Sequence, residues 1–241
     1  MIQTPPAPPL TVAVVLPVLN EAAHLDDSLS ELIEIQHFDE IIVVDGGSTD
    51  ASMEIVCKLM SSDVEPVPQL IQSPPGRAEQ MRAGAQAASS DILLFLHADS
   101  TLPSGAAEDI RDAVERGGLW GRFDVRLSGR HFLFRLIERL MNWRARLTGI
   151  ATGDQGLFVR RDIYSVLGGF ASLPLMEDIE FCARLKSVGK PACLRGPLIT
   201  SSRRWEKNGI VRTILLMWSL RFFYWLGVSP ARLARRYYQQ S

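Results

Sequence analysis

The sequence predicts an α/β fold: a Rossmann-like three-layer sandwich with a mostly parallel central sheet and an amphipathic helical appendage at the C-terminal end. Three observations carry this. Short apolar, β-rich runs at residues 11–18, 40–45 and 92–96 alternate with stretches of helical periodicity, the pattern of parallel strands joined by right-handed crossovers. Each run leads into polar side chains, and open α/β sheets bind ligands beyond the carboxyl ends of their strands. The 241 residues, 46% hydrophobic, suffice for one large domain with a sizeable core.

Residues 11–18 give the first strand. Asn20-Glu21 follows, and Leu25, Leu29, Leu32 and Ile33 recur at helical spacing to about Ile35. The second strand, residues 40–45, ends in Asp45. Gly46-Gly47 makes the turn, and Ser48 or Thr49 caps a helix carrying Ile55, Val56 and Leu59. Residues 68–71 give a weaker third strand and residues 76–88 a helix of small residues. The fourth strand runs into His97-Ala98-Asp99. Strand alternation lets His97 and Asp99 project together, and a carboxylate there suits a hard divalent cation. Asp99 equally suits a cap for the helix that Pro103 starts.

Beyond Gly118 the pattern changes. Residues 119–127 set Trp120, Arg122, Asp124 and Arg126 against Leu119, Phe123, Val125 and Leu127, which predicts a strand with one wet face. Residues 131–147 form a helix dense in Arg and large apolar side chains, and residues 152–160 a loop and strand. A short helix at 162–167 closes on Gly168-Gly169, a helix at 177–188 stops at Gly189, and residues 190–194 give a final strand. With no repeat and no linker, residues 11–205 read as one domain. A Pro-rich lead-in (1–10) precedes it, and hydrophobic, basic helices (206–241) follow.

Residues 209–228 have about the length of a membrane span. They contain Arg212 and Arg221, each costing about 2.5–3.5 kcal/mol at a bilayer centre. Three placements stay open: a helix lying in the membrane interface beside the basic residues 229–238, a helix buried against the domain or a second subunit, and a true span.

The net charge of −1 hides a split. Residues 1–110 hold 17 acidic and 3 basic residues; residues 111–241 hold 10 acidic and 23 basic. Such asymmetry predicts an anionic partner for the second half. Cys57, Cys182 and Cys193 are odd in number and widely spaced, giving neither a metal pattern nor a disulfide framework, as suits a reducing compartment. The first ten residues carry no secretory signal.

Three strand ends therefore bring Asn20-Glu21, Asp45 and His97/Asp99 to one rim. A bound nucleotide needs few groups there: a carboxylate for a base N–H or ribose hydroxyl, a divalent ion for the diphosphate, and Arg77 or Arg82 for further contacts.

Leu16-Pro-Val-Leu-Asn-Glu21, Val43-Val-Asp-Gly-Gly-Ser-Thr-Asp50 and Phe95-Leu-His-Ala-Asp99 together resemble the inverting family 2 glycosyltransferases of GT-A fold, over roughly residues 11–205. The Gly-Gly after Asp45, Gly76-Arg-Ala-Glu-Gln-Met-Arg-Ala-Gly84 and His-Ala-Asp are similar to a small bacterial subgroup associated with arsenosugar biosynthesis gene neighbourhoods. The resemblance implies a nucleotide-binding half (11–110) and an acceptor half (111–205). It implies that Asp45 and the adjoining Gly46 contact the base, that Glu21 with the Pro17–Asn20 backbone borders base and ribose, and that Arg77 faces the nucleotide. Asp99, after Ala98, matches the last carboxylate of an Asp-X-Asp metal motif whose first Asp is replaced by His97. His97 is then either a metal ligand or a partner of a sugar hydroxyl, and Mg2+ versus Mn2+ stays open.

On the acceptor side, Met176-Glu177-Asp178 resembles the family's Glu-Asp motif at a helix start. Asp178 is the candidate base, with Glu177 the near alternative and dipole-complementing acid the structural one. Asp154 and Gln155 resemble sugar contacts. Arg204-Trp205 falls where processive relatives carry Gln-X-X-Arg-Trp, here without the Gln; the resemblance implies that the pair contacts the leaving diphosphate, with a membrane-interface anchor as the alternative. The implied partners are a nucleotide-diphosphate sugar, a divalent metal and a hydroxyl acceptor, small or lipid-linked. Peripheral membrane contact through 209–238 on the cytoplasmic face, and a homodimer, complete the expectation.

Rival classes lack their signatures. A sugar nucleotidyltransferase needs a Gly-rich phosphate loop after the first strand, and a nicotinamide dehydrogenase needs Gly-X-Gly-X-X-Gly there; Pro17-Val-Leu-Asn-Glu21 is neither. A membrane-tethered scaffold with a degenerate site predicts lost carboxylates, yet Asp45, Asp99, Glu177 and Asp178 are all present. The basic half has no recognisable nucleic-acid motif.

Overall fold

The computed structural model describes residues 8–35 and 37–239; most of the lead-in expected at residues 1–10 lies outside them. The strands are β1 (Val12–Val18), β2 (Glu40–Asp45), β3 (Gln69–Gln72), β4 (Ile92–Phe95), β5 (Ser100–Thr101), β6 (Trp120–Leu127), β7 (Leu157–Arg160) and β8 (Ala192–Thr200). They form one sheet in the order β3-β2-β1-β4-β7-β6-β8-β5. Strands β1 to β4, β6 and β8 share one direction, and β7 and β5 oppose it, so the sheet is mostly parallel as expected.

The helices are α1 (Ala22–Glu34), α2 (Ser52–Met60), α3 (Arg77–Ala87), α4 (Ala106–Glu115), α5 (Phe132–Thr148), α6 (Arg161–Val166), α7 (Glu177–Leu185), α8 (Arg203–Asn208), α9 (Ile210–Trp225) and α10 (Pro230–Tyr238). Alternation along the strands builds the three layers. Val12, Val14 and Leu16 face α1, α2 and α4 through Leu25, Leu29, Val56 and Ile110. Ala13 and Val15 face α3, α6 and α7 through Met81, Tyr164 and Phe181. Small residues in α3 have a packing reason. A Cβ at Gly84 would overlap Val15 and come within 2.9 Å of Val44, so the helix lies close on the sheet and carries its first residues to the strand ends.

Three expectations need correction. The strand at 119–127 has no fully wet face: Arg122 is 1% exposed. Its guanidinium donates to Asp124 at 2.6 Å and to the Phe123 and Asn142 carbonyls, and that pairing is what permits its burial under α5. The last strand is Ala192–Thr200, not 190–194. Gly196-Pro197 reads as a break, but the register shifts opposite Phe123/Asp124 absorb it as a bulge. Neither Ser48 nor Thr49 caps α2. Its N-cap is Ala51, and Asp50 Oδ1 accepts the Ser52 N–H at 3.0 Å.

The structure also narrows the three placements left open for residues 209–228. Among the described residues no helix is long and apolar enough to cross a membrane, so the true-span placement is set aside. One face of α9 packs on the domain: Ile210 and Ile214 join Phe134, Ile137 and Trp205, and Leu216, Leu220 and Tyr224 join Met176 and Leu233. The opposite face carries exposed Trp218 and Trp225.

Candidate functional site

Four loops meet at the carboxyl ends of β1, β2 and β4. The chain leaves β1 through Asn20, whose φ of 56° is left-handed, a conformation Asn tolerates better than most residues. The Asn20 N–H donates to Ser48 Oγ at 3.0 Å, and the Thr49 N–H donates to Asn20 Oδ1 at 2.8 Å. The Glu21 N–H donates to Ser52 Oγ at 3.0 Å. Asp45, buried at the end of β2, accepts the Ser48 N–H at 2.9 Å. These bonds lock the two loops into one rim.

Sequence reasoning missed the bolt beneath that rim. Gln80 of α3 is buried and donates through Nε2 to the Val18 carbonyl at 2.7 Å and the Val44 carbonyl at 2.8 Å. It adds a further tie between β1 and β2 at their carboxyl ends. A Cβ on Gly46 would meet the Gln80 amide at 3.0 Å, so the glycine after Asp45 makes room for it. Alternating polar residues on a helix gave no cue that one of them faces two carbonyls.

His97 and Asp99 do not point the same way. The strand ends at Phe95, so period-two alternation stops before either residue. Asp99 turns toward Arg203, whose Nη2 lies 3.4 Å from Asp99 Oδ2 and 3.9 Å from Glu21 Oε2. Burial, and the Asp99 charge behind it, push the Glu21 carboxyl above the usual carboxylate range. Arg203 is the second missed residue; it bridges Glu21 and Asp99, two carboxylates of the predicted rim. His97 instead faces Gly153, Arg77 and Arg204. Burial, with the Arg77 and Arg204 charges, holds its imidazole well below the usual range, and Nε2 is buried without a partner. Ala98 is 3% exposed and packs in the core, so only its backbone lies near the rim.

The residues expected on the acceptor side arrive on α7 and on a 3-10 turn, Gly153–Gln155. Met176, at φ 69°, turns the chain into α7. Glu177 is buried, with Arg77 Nε 3.7 Å from its Oε1. Burial and the adjacent Asp178 charge raise its carboxyl, against the pull of Arg77. Asp178 accepts the Gly153 N–H on Oδ2 at 2.8 Å and the Ile179 N–H on Oδ1 at 2.7 Å. A Cβ on Gly153 would overlap the Arg77 guanidinium and lie 3.0 Å from His97 Nε2. Only glycine lets these groups close on one point. Pro17, Arg77, His97, Gly153 and Asp178 line one small pocket there.

Around this point buried polar atoms stand without hydrogen-bond partners: Arg77 Nε, His97 Nε2, Asp154 Oδ1, Gln155 Nε2, Arg204 Nη1, and Nε and Nη2 of Arg144. Folded proteins normally satisfy such groups, so their convergence is what a binding site leaves open for its ligand. Gln155 Oε1 is already used, accepting the Thr152 N–H at 3.1 Å. The Arg204 guanidinium sits 4.4 Å from the Tyr237 ring centre. Trp205 is not at the site: it packs with Leu127, Phe134 and Ile137, which corrects its expected ligand contact. Among the described residues no group of three or more His, Cys, Asp or Glu side chains is arranged to hold a metal alone.

The family model for glycosyl transferase family 2 matches residues 13–167. The chain belongs to that family. Within this glycosyl transferase family, an undecaprenyl-phosphate 4-deoxy-4-formamido-L-arabinose transferase from Pseudomonas fluorescens is 30% identical over 170 residues, 64% of this chain and 47% of its own. A glucosyl-3-phosphoglycerate synthase from Mycobacterium tuberculosis is 36% identical over 98 residues, covering 39% of this chain and 30% of its own. The chain thus spans under half the length of these curated relatives. Among solved structures, a mannosyltransferase from Pyrobaculum calidifontis in complex with GDP-Man and Mn2+ matches with a TM-score of 0.59 at 21% identity, over 80% of this chain and 56% of that one. TarS from S. aureus in complex with UDP matches with a TM-score of 0.61 at 18% identity, over 80% and 60%. At these identities the likeness establishes the GT-A fold.

Proposed function

We propose that this family 2 chain is an inverting glycosyltransferase that moves a sugar from a nucleotide-diphosphate donor to an acceptor hydroxyl. The observation that carries the reading is the fixed Asp178 carboxylate, held by Gly153 beside Arg77 and His97 and ringed by unpartnered buried polar atoms. Asp45 and Gly46 border the base; Pro17, Asn20 and Glu21 border base and ribose. Asp178 takes the acceptor hydroxyl proton. The freed oxygen bonds to the anomeric carbon as the bond to the diphosphate oxygen breaks, and the electron pair leaves with the nucleoside diphosphate. A single displacement inverts the anomeric centre.

The residues fit a divalent cation of the kind present with the Pyrobaculum mannosyltransferase. Asp99 and Glu21 present oxygen donors around a point now held by the Arg203 charge, and a hard cation takes its remaining ligands from diphosphate oxygens. Such an ion would stabilise the departing diphosphate. His97 lies among guanidinium groups that disfavour a cation, so its neutral Nε2 is assigned to a sugar or phosphate oxygen. Arg77 and Arg204 meet the diphosphate, and Asp154 and Gln155 the donor sugar. The motif set supports the arsenosugar-associated bacterial subgroup. The basic second half and the exposed apolar face of α9 support peripheral contact with an anionic membrane on its cytoplasmic side, compatible with a small or a lipid-linked acceptor. Incubation with UDP-, GDP- and dTDP-sugars, Mn2+ and a panel of hydroxyl acceptors, followed by NMR of the glycoside formed, tests the reading. It expects nucleoside diphosphate release with an inverted anomeric configuration; no turnover of any donor, or retention, contradicts it.

A further inference from the structure

Two arginines of the basic half stand within electrostatic reach of Asp154 and Asp178 with no role in the scheme above. Arg144 comes from α5 and Arg221 from α9. Both side chains are half-buried, both feel the charges of Asp154 and Asp178, and Arg144 also feels Arg221. Burial and that like charge pull Arg144 down to about 10, which leaves it cationic at neutral pH. Among the described residues neither side chain forms an ion pair. The Asp178 oxygens are already taken by the Gly153 and Ile179 N–H groups.

The unpartnered donors of Arg144 are Nε and Nη2. These two lie along one edge of the guanidinium plane and form a fork that matches two oxygens of a phosphate. A buried, charged fork with both prongs empty is costly unless an anion fills it.

We propose that Arg144 and Arg221 form an anion subsite for the acceptor, which carries a phosphate-class oxyanion gripped by the Arg144 fork while its hydroxyl meets Asp178. This rests on the transferase reading and names the acceptor's chemical class. A soluble phosphate ester and a lipid phosphate headgroup offer the same chemistry. The outer faces of the same two helices carry exposed Trp143 and Leu147 on α5 and Trp218 and Trp225 on α9.

The test titrates inorganic phosphate into the full chain, first saturated with whichever nucleoside diphosphate binds it, so that the donor-side arginines are occupied. R144Q and R221Q are each expected to weaken phosphate binding about tenfold or more, with nucleotide affinity kept within about twofold. R144K, which keeps the charge and loses the fork, gives the same result if R144Q fails to fold. R116Q, at the C-cap of the remote helix α4, leaves both affinities unchanged. Phosphate affinity that ignores R144Q, R144K and R221Q overturns the subsite, as does a wild type that binds nucleotide and no phosphate. Absence of nucleotide binding overturns the transferase reading instead, and Arg144-dependent phosphate binding is then read on the free chain. Phenyl phosphate in solution, and phosphatidylcholine vesicles with and without polyprenyl phosphate, separate the two sources. Arg144-dependent binding in either arm supports the subsite; Arg144-independent binding in both overturns it.

Discussion

Asp178 is held by the backbone of Gly153, 25 residues earlier in the chain, through a 2.8 Å hydrogen bond from the glycine N–H to Oδ2. The bond places the carboxylate before any ligand arrives, against the same glycine that Arg77 and His97 approach. D178N keeps the shape and removes the basicity. It is expected to lower transfer by about 10²–10⁴-fold while nucleotide affinity stays unchanged; normal turnover moves the base to Glu177.

Gln80 is a structural prediction of the same site. Q80A removes two buried hydrogen bonds, to the Val44 carbonyl and to the Val18 carbonyl, which then keeps only the Gly46 N–H. Urea unfolding should report a loss of about 1–3 kcal/mol, and nucleotide affinity should fall because the β1 and β2 loops lose their tie. An unchanged midpoint contradicts the bolt.

Glu177 makes stability depend on pH in a defined direction. Its carboxyl is raised in the folded chain by burial and by Asp178, against about 4.3 when unfolded. Between those values the folded state holds the extra proton, so this contribution is complete below about pH 4.3 and is lost as pH rises through the folded value. The stability of wild type relative to E177Q should therefore fall on going from pH 4 to neutrality. A difference that rises over that window contradicts the assignment.

The cysteines offer a check on packing. Cys182 is buried, and burial pushes its thiol up to about 12, while Cys57 is exposed. A thiol reagent at neutral pH should modify Cys57 first and Cys182 only after denaturant is added. Early labelling of Cys182 contradicts the packing of α7 against Ala151.

The parallel half of the sheet was readable because both faces of β1, β2 and β4 are buried and their strands are continuous apolar runs. The rim was readable because Asp45 and Asp99 follow those runs directly. What stayed hidden depends on where long side chains reach. Gln80 and Arg203 act across 36 to 104 positions of sequence, and no periodicity reports that. Arg122 sits where alternation predicts solvent, and only its pairing with Asp124 explains its burial. Arg221 counts as a penalty in a membrane helix but feels the charges of Asp178 and Asp154 in the fold. Trp205, chosen for its neighbour Arg204, belongs to the α5 contact instead.

The central claim is a nucleoside diphosphate held at these strand ends with a divalent cation on Asp99. The most direct measurement is a thermal-shift panel of UDP, GDP, dTDP, CDP and ADP, each with EDTA, Mg2+ or Mn2+, on wild type and D99N. Binding to the native state raises the midpoint by mass action. The account predicts that one diphosphate raises it in a metal-dependent way and that D99N loses the metal dependence. A wild type that shifts with none of them, or a D99N that responds to metal as wild type does, contradicts it.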